Sequence, residues 1–369
     1  MSIFSAIVTL LGGLAMFLYG IEVMGDGLKN SSGAALKRIL EKVTGNVFIG
    51  VLTGTLVTAV IQSSTATIVL TVALIGAGVL TLKQAVSIVL GANIGTTITA
   101  QIIRLSSIES GDNWLLMLFD TDTLAPIALV IGIVLIMFIK TKSSKTVGDI
   151  FVGFGILFIG LNLMTSGVAP LAEKEAFKTV LMQLENPLLG IAVGMILTVI
   201  VQSSSAMVGM LQALSVSGAM TFSMVYPIIM GINLGTCVTT AMVCSVGTSK
   251  DAKRTGVVHI VFNTIGTILF MVVMSIMESN HVFGAEYWMR TADSGIIANF
   301  QTIFNLITAV VLLPFTGVLV KISTTIIKDT KAEAVRHPDS FTAPAELYLP
   351  SKYGISSKGA IFSLPSSYS

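Results

Sequence analysis

The stretch "VIVQSSSAMVG", residues 199–209, sets Gln202, Ser203, Ser204 and Ser205 side by side in an apolar run, and nearly the same string, "AVIQSSTATIV", stands at 59–69. Each residue of an α-helix turns about 100°, so four consecutive side chains sweep most of the circumference and no single face hides them from lipid. The pattern calls for a helix break. Non-helical backbone at membrane depth survives only where it is buried in protein or lines a wet cavity.

The surroundings are those of a membrane protein. Of 369 residues, 53% are hydrophobic and only 11% charged, where a soluble domain carries about 25% charged residues. Apolar segments recur at 4–24, 46–61, 66–80, 85–103, 124–140, 148–168, 188–201, 206–220, 225–247, 256–275 and 295–320. A spanning helix needs roughly 20 such residues, so the expected fold is an all-α integral membrane protein, and the four segments flanking the polar strings are too short to cross alone. The start, "MSIFSAIVTLLGG", lacks the basic region of a cleaved signal and reads as the first membrane helix. Cys237 and Cys244, seven apart in one apolar segment, are expected to be free thiols. His259, His281 and His337 form no metal-ligand spacing.

The two strings belong to a longer internal repeat with an offset of 140 residues. Gly13, Gly20, Gly27, Gly54, Gly78, Gly91 and Gly95 meet Gly153, Gly160, Gly167, Gly194, Gly218, Gly231 and Gly235, and Thr58, Gln62, Asn93 and Thr96 meet Thr198, Gln202, Asn233 and Thr236. Of the 12 glycines between 13 and 99, eight find a glycine at the partner position, where composition alone predicts about one. The expected units are a first repeat over 1–140, a second over 141–321 with the final spans, and a polar tail over 322–369.

Loop charges give the relative orientation of the copies, because short cytoplasmic loops carry the excess of Lys and Arg. Segments 29–45, 140–147 and 248–255 are basic; 104–123 and 276–294 are acidic, and 169–187 sets Lys174 and Lys178 against Glu173, Glu175 and Glu185. The loops equivalent under the repeat, 104–123 and 248–255, thus fall on opposite sides. Two inverted-topology repeats follow, each with its string at the tip of a re-entrant helical hairpin, an arrangement that points to a secondary transporter. The map places the N-terminus outside and the tail, which follows Lys321, Lys328, Lys331 and Arg336 and is rich in Pro and Ser, inside and without a core of its own. Glu22 and Asp26 read as interfacial residues at the inner end of the first span.

A second paired element follows each string, "GANIGTT" at 91–97 and "GINLGTC" at 231–237. Two glycines four apart around an Asn give flexible backbone, with amide and hydroxyl groups in mid-span. Broken helices expose N–H groups, which favour anions, and carbonyls, which favour cations. No Lys or Arg lies in either string or its partner element, so such a centre suits an oxyanion held beside Na⁺, the cations offsetting charge that is costly to bury alone. A lone membrane serine is ordinary interhelical glue; a duplicated string beside a duplicated GxNxGT is the pattern of a transport site. His259 and Asn263 share a helix face, and their first-copy counterparts are Ala125 and Leu129, which sets this pair apart from the symmetric site. A Na⁺-coupled carrier of sulfate or a dicarboxylate, and an anion channel, stay open on the residues alone; an enzyme does not, since the strings lack a paired base, a metal set and a nucleophile with a His partner.

The ordered pairs "AVIQSSTATIV…GANIGTTITA" and "VIVQSSSAMV…GINLGTCVTT" resemble the two inverted copies of the type II sodium-dependent phosphate cotransporter family, over about residues 5–320. The resemblance implies a symporter of the cell membrane that imports inorganic phosphate with Na⁺ by alternating access. It implies phosphate binding by Gln62, Ser63, Ser64, Gln202, Ser203 and Ser204, and sodium binding by Thr65, Asn93, Thr96, Thr97, Ser205, Asn233 and Thr236. Expected partners are phosphate, Na⁺ and the lipid bilayer, with no nucleic acid; a homodimer is one open arrangement. Thr65 stands where the first string would have its third Ser, and Cys237 where the second copy would have a Thr, which puts a hydroxyl ligand there in doubt. Many bacterial relatives carry a soluble helical domain after the membrane part; the 48-residue tail is too short for one, so regulation through it is not expected.

Overall fold

The computed structural model of the chain describes residues 2–41, 46–107, 120–139, 141–245 and 249–328. The first copy contains α1 (Ile3–Glu41), α2 (Val47–Ile61), α3 (Ser64–Gly76), α4 (Leu82–Ile103) and α5 (Thr121–Phe138). The second contains α6 (Lys142–Ala172), α7 (Glu175–Met182), α8 (Pro187–Val201), α9 (Ser204–Ser215) and α10 (Phe222–Ser245), followed by α11 (Lys250–Ser279), α12 (Ala285–Met289), α13 (Ser294–Leu312) and α14 (Thr316–Ile326). Among the described residues seven helical stretches are long and apolar enough to cross a membrane, or eight if α7 and α8, bent by 108°, count as one. The protein is a multi-pass, all-helical membrane protein.

The repeat seen in sequence is repeated in the helix ends. Asn46 caps α2 and Asn186 caps α8, each accepting from the amide two residues on, and Ser63 and Ser203 cap α3 and α9 by accepting from the amides of Ala66 and Ala206. Such caps meet first-turn N–H groups that have no intrahelical acceptor. Gly78 and Gly218, both at φ 71°, turn the chain after α3 and α9, a left-handed conformation that glycine adopts freely.

The inversion is written in the packing of α1 on α6. A Cβ placed on Gly13 would lie 2.8 Å from the Gly160 carbonyl oxygen, and one on Gly160 would lie 2.8 Å from that of Gly13; Gly20 meets the Gly153 oxygen at 2.8 Å. Further along, Gly27 meets Thr146 and Gly167 meets Ala6. Each contact maps onto another when 140 is added to one partner and subtracted from the other. Because residue numbers rise on one helix as they fall on the other, the two helices run antiparallel, and a two-fold exchanges the copies. The heptad of glycines removes side chains so that the backbones can touch, the usual device where lipid supplies no hydrophobic drive between helices.

Each copy then builds a second glycine seam. Gly91 and Gly95 of α4 lie on Val51 and Thr55 of α2, and Gly231 and Gly235 of α10 lie on Ile191 and Met195 of α8. Here the expectation of loosened backbone at GANIGTT and GINLGTC is corrected, since α4 and α10 run unbroken through both elements. The glycines serve close approach, and in each copy the break lies at the polar string, after α2 and after α8. A second correction concerns 29–45, expected as a loop: α1 continues through it to Glu41, because Leu36 and Leu40, one turn apart, are buried with Val57, Leu74 and Ile88. Glu22 and Asp26 are exposed on α1.

Past α4 and α10 the copies diverge. α5 packs on α6, whereas α11 packs on α3, α4, α10, α13 and α14. Arg254 of α11, buried, donates from Nε and a terminal nitrogen to the Ile327 carbonyl and so fixes the end of α14. That helix carries the chain past the expected boundary at 321. Residues from 329 onward, most of the expected tail, lie outside the described residues.

Candidate functional site

Both strings interrupt a helix at the same place in the same way. Gln62 ends α2 at φ 59° and Gln202 ends α8 at φ 58°, each with its backbone N–H on the carbonyl four residues back, Thr58 and Thr198, at 2.7 Å. A left-handed Gln costs roughly 1–2 kcal/mol that a Gly would not, so strain of the same kind sits at both breaks. The Thr58 hydroxyl donates to the Thr67 hydroxyl at 2.9 Å, joining the last turn of α2 to the first turns of α3 and folding the pair back as a hairpin.

The groups left free at the breaks define the chemistry. Ser63 and Ser203 use their hydroxyl oxygens on the third amide of the following helix, which leaves the N–H groups of Ser64, Thr65, Ser204 and Ser205 without an intrahelical acceptor. The hydroxyls of Ser64, Ser204 and Ser205 make no hydrogen bond among the described residues, although these residues are only 7–8% exposed. Thr65 is half-buried. Buried donors at the positive end of a helix are a ready cradle for an oxyanion. α3 leans on α10 and α9 leans on α4, so the helix after each string rests on the GxNxGT helix of the other copy.

Those GxNxGT residues offer acceptors. Thr96 donates to the Ala92 carbonyl (3.1 Å), Thr97 to that of Ile94 (2.7 Å) and Thr236 to that of Asn233 (2.6 Å). A hydroxyl whose proton is so spent keeps its lone pairs for a cation. Asn93 and Asn233 likewise give their amide N–H to Val89 and Ile229, at 2.9 and 3.1 Å, which turns the amide oxygens outward. Cys237 directs its thiol at the carbonyls of Asn233 (3.7 Å) and His259 (3.8 Å). No cluster of three or more His, Cys, Asp or Glu able to hold a metal occurs among the described residues.

The copies are not in the same state. Gln62 is buried at 7% exposure, its Oε1 taking the Thr99 hydroxyl at 2.7 Å and its Nε2 donating to the Ala59 carbonyl. Gln202 is exposed, and Thr239, the partner of Thr99 under the repeat, donates instead to the Thr236 carbonyl at 2.8 Å. Asn93 also differs from Asn233. Its oxygen accepts from His259 Nε2 at 3.1 Å and from Asn263 Nδ2 at 3.4 Å, whereas no hydrogen bond reaches the Asn233 oxygen among the described residues. His259 and Asn263 have no symmetric counterpart, as the sequence indicates, yet they touch the symmetric element. Thr99 and Gln212, whose amide donates to the Ala100 carbonyl and to Ser294, were not singled out from sequence; a polar residue on the buried side of an otherwise apolar helix was the available signal.

Inverted repeats, paired re-entrant hairpins and a buried uncharged polar centre define a secondary transporter. The chain belongs to the Na⁺/Pi-cotransporter family, whose sequence model matches it twice, over residues 16–166 and 159–285. It is 26% identical over 310 residues to YqeW, an uncharacterized protein of Bacillus subtilis, covering 84% of this chain and 94% of YqeW. It is 24% identical over 321 residues to YjbB of Escherichia coli, by its name a candidate inorganic phosphate export protein, covering 87% of this chain and 55% of YjbB. Over 142 residues, 36% of this chain and 22% of the relative, it is 33% identical to the rat sodium-dependent phosphate transport protein 2A. No solved structure matches.

Proposed function

We propose that the protein is a Na⁺:phosphate symporter that works by alternating access, with one phosphate held between the two strings. Repeat 1 comprises 1–140 and repeat 2 with the final helices 141–321, with α14 running on to Ile326 and the tail after it cytoplasmic. The phosphate takes donors from Gln62, Ser63, Ser64, Gln202, Ser203 and Ser204. Na⁺ takes oxygens from Thr65, Asn93, Thr96, Thr97, Ser205, Asn233 and Thr236. The observation that carries this reading is the matched pair of left-handed helix breaks whose first-turn N–H groups and buried hydroxyls are uncommitted. With no Lys or Arg beside them, Na⁺ must offset the charge of a buried phosphate, which makes the transport coupled. The unequal environments of Gln62 and Gln202 support alternating access, since exchanging the two conformations across the two-fold would open the opposite side.

Import follows from an inward Na⁺ gradient. A second reading, phosphate export, is favoured by the name of YjbB. Uptake and efflux of phosphate in proteoliposomes, with the Na⁺ gradient imposed in either direction and sulfate or succinate as competitors, test both. The expected result is phosphate flux along the Na⁺ gradient, lost in Gln202→Ala and Ser204→Ala. Flux indifferent to Na⁺, or to both substitutions, contradicts the proposal; preference for sulfate or succinate reassigns the substrate.

A further inference from the structure

Asn93 and Asn233 are equivalent under the repeat and equally buried, each 5% exposed, yet their oxygens are treated differently. Each commits its amide nitrogen to its own helix, on the carbonyls of Val89 and Ile229. The Asn93 oxygen then takes His259 Nε2 at 3.1 Å and Asn263 Nδ2 at 3.4 Å, both from one turn of α11. An amide oxygen has two lone pairs, and at Asn93 both face N–H donors. The Asn233 oxygen has no hydrogen bond among the described residues.

The turn of α11 that closes on Asn93 is held from its other side by the second copy. The His259 carbonyl accepts the Cys237 thiol at 3.8 Å and Asn263 Nδ2 at 3.1 Å, so one turn touches both GANIGTT and GINLGTC. Because the Asn93 oxygen can only accept, Nε2 is the protonated nitrogen of the His259 ring. The other nitrogen, Nδ1, is buried without a hydrogen-bond partner. An unmet buried polar atom is costly, and a leucine would fill this fully buried position without it. What the imidazole adds is the one N–H aimed at Asn93. We infer that His259 is a built-in competitor of Na⁺: its N–H occupies the Asn93 oxygen, so the first-copy half of the cation site takes Na⁺ only when the His259–Asn93 bond breaks, while the second-copy half at Asn233 is unopposed.

The inference rests on the reading of Asn93 and Asn233 as Na⁺ ligands and deepens it. A cation and the positive end of an N–H seek the same lone pairs and repel each other there, so His259 and Na⁺ exclude one another at Asn93. Breaking one such hydrogen bond should lower the affinity of the first-copy half about two- to tenfold. The two halves then fill in order, Asn233 before Asn93. The competition is confined to one copy, because the counterparts of His259 and Asn263 under the repeat, Ala125 and Leu129, carry no side-chain donor. It does not depend on phosphate being the anion carried.

The test measures ²²Na⁺ binding to the full-length protein in detergent, without phosphate, for the wild type, His259→Leu, His259→Gln, Asn93→Ala and the double variant His259→Leu with Asn93→Ala. The expected result is tighter binding in His259→Leu, by about two- to tenfold. His259→Gln, which keeps an N–H at the reach of Nε2, should bind like the wild type, and the gain should vanish in the double variant. A side chain that merely packs the helices would give no gain on removal. Unchanged or weaker binding in His259→Leu, a gain that survives without Asn93, or a His259→Gln that behaves like His259→Leu overturns the competition. In the ¹⁵N-histidine-labelled wild type, the Nε2 signal missing from His259→Gln should shift on saturation with Na⁺ and not with choline; no shift also overturns it, whether or not His259→Leu folds. Wild-type Na⁺ binding in Asn93→Ala would refute Asn93 as a ligand and the inference with it, whereas weakened binding there beside an unchanged His259→Leu refutes the competition alone.

Discussion

Replacing Gln202 by Gly should make the protein no less stable and yet inactive. Gln202 sits at φ 58°, where an L-residue loses roughly 1–2 kcal/mol that Gly recovers, against about 0.4–1 kcal/mol of added freedom in the unfolded chain. The side chain is exposed and unbonded, so the net effect is between no change and a gain of about 1.6 kcal/mol. Gln62→Gly relieves the same strain but removes the bonds to Thr99 and Ala59, each worth about 1 kcal/mol, and leaves the Thr99 hydroxyl, 1% exposed, without a partner. It should therefore be destabilised by about 1 kcal/mol or more. Gln202→Ala keeps the strain and serves as the control. Thermal unfolding in detergent gives the stability order, and Na⁺-driven phosphate flux gives the activity, which both glycine variants should lose. A Gln202→Gly protein that is clearly destabilised, or that transports like the wild type, refutes the reasoning: the first denies the left-handed break, the second denies the amide a role.

Other outcomes follow from the same geometry. Gly160→Val should cost at least about 1–3 kcal/mol, because its Cβ meets the backbone of Phe17 and Gly13, whereas Gly12→Ala, with nothing within 4 Å, should be neutral or stabilising in the same unfolding assay. Thr99→Val, which removes the donor to Gln62, should destabilise by about 1 kcal/mol in the same unfolding assay. Cysteines introduced at Ser2 and Lys142, which the 140-residue offset pairs at the starts of α1 and α6, should be labelled from opposite sides of the membrane; labelling from one side would overturn the inverted topology.

The polar strings and the 140-residue offset were enough to read the duplication and the position of both helix breaks, because a glycine that must touch another backbone leaves its mark at every copy, and the loop charges were enough to read the inversion. What sequence misread was the use of the glycines in GANIGTT and GINLGTC. Flexible backbone and close packing demand the same residue, and only the apposed α2 and α8 decide between them. The continuation of α1 to Glu41 was hidden by the charges of 29–45, which outweigh Leu36 and Leu40 in a hydropathy reading though not in packing. The contact of His259 and Asn263 with Asn93 joins residues 166 and 170 apart from copies that no longer match there, and the repeat could not guide a search for it. The buried polar face of α13 was legible as Gln301, Asn305 and Thr308 at helical spacing in an apolar run, but it too has no first-copy partner.

The central claim is that Ser64 and Ser204, 140 residues apart, hold the same ion. Phosphate affinity measured for the wild type, Ser64→Ala, Ser204→Ala and the double variant closes a cycle on that claim. If both hydroxyls contact one phosphate, the two losses should be non-additive by about 0.5 kcal/mol or more. Losses that add to within about 0.3 kcal/mol, or a change in only one of the two single variants, would place the strings at separate sites and contradict the account.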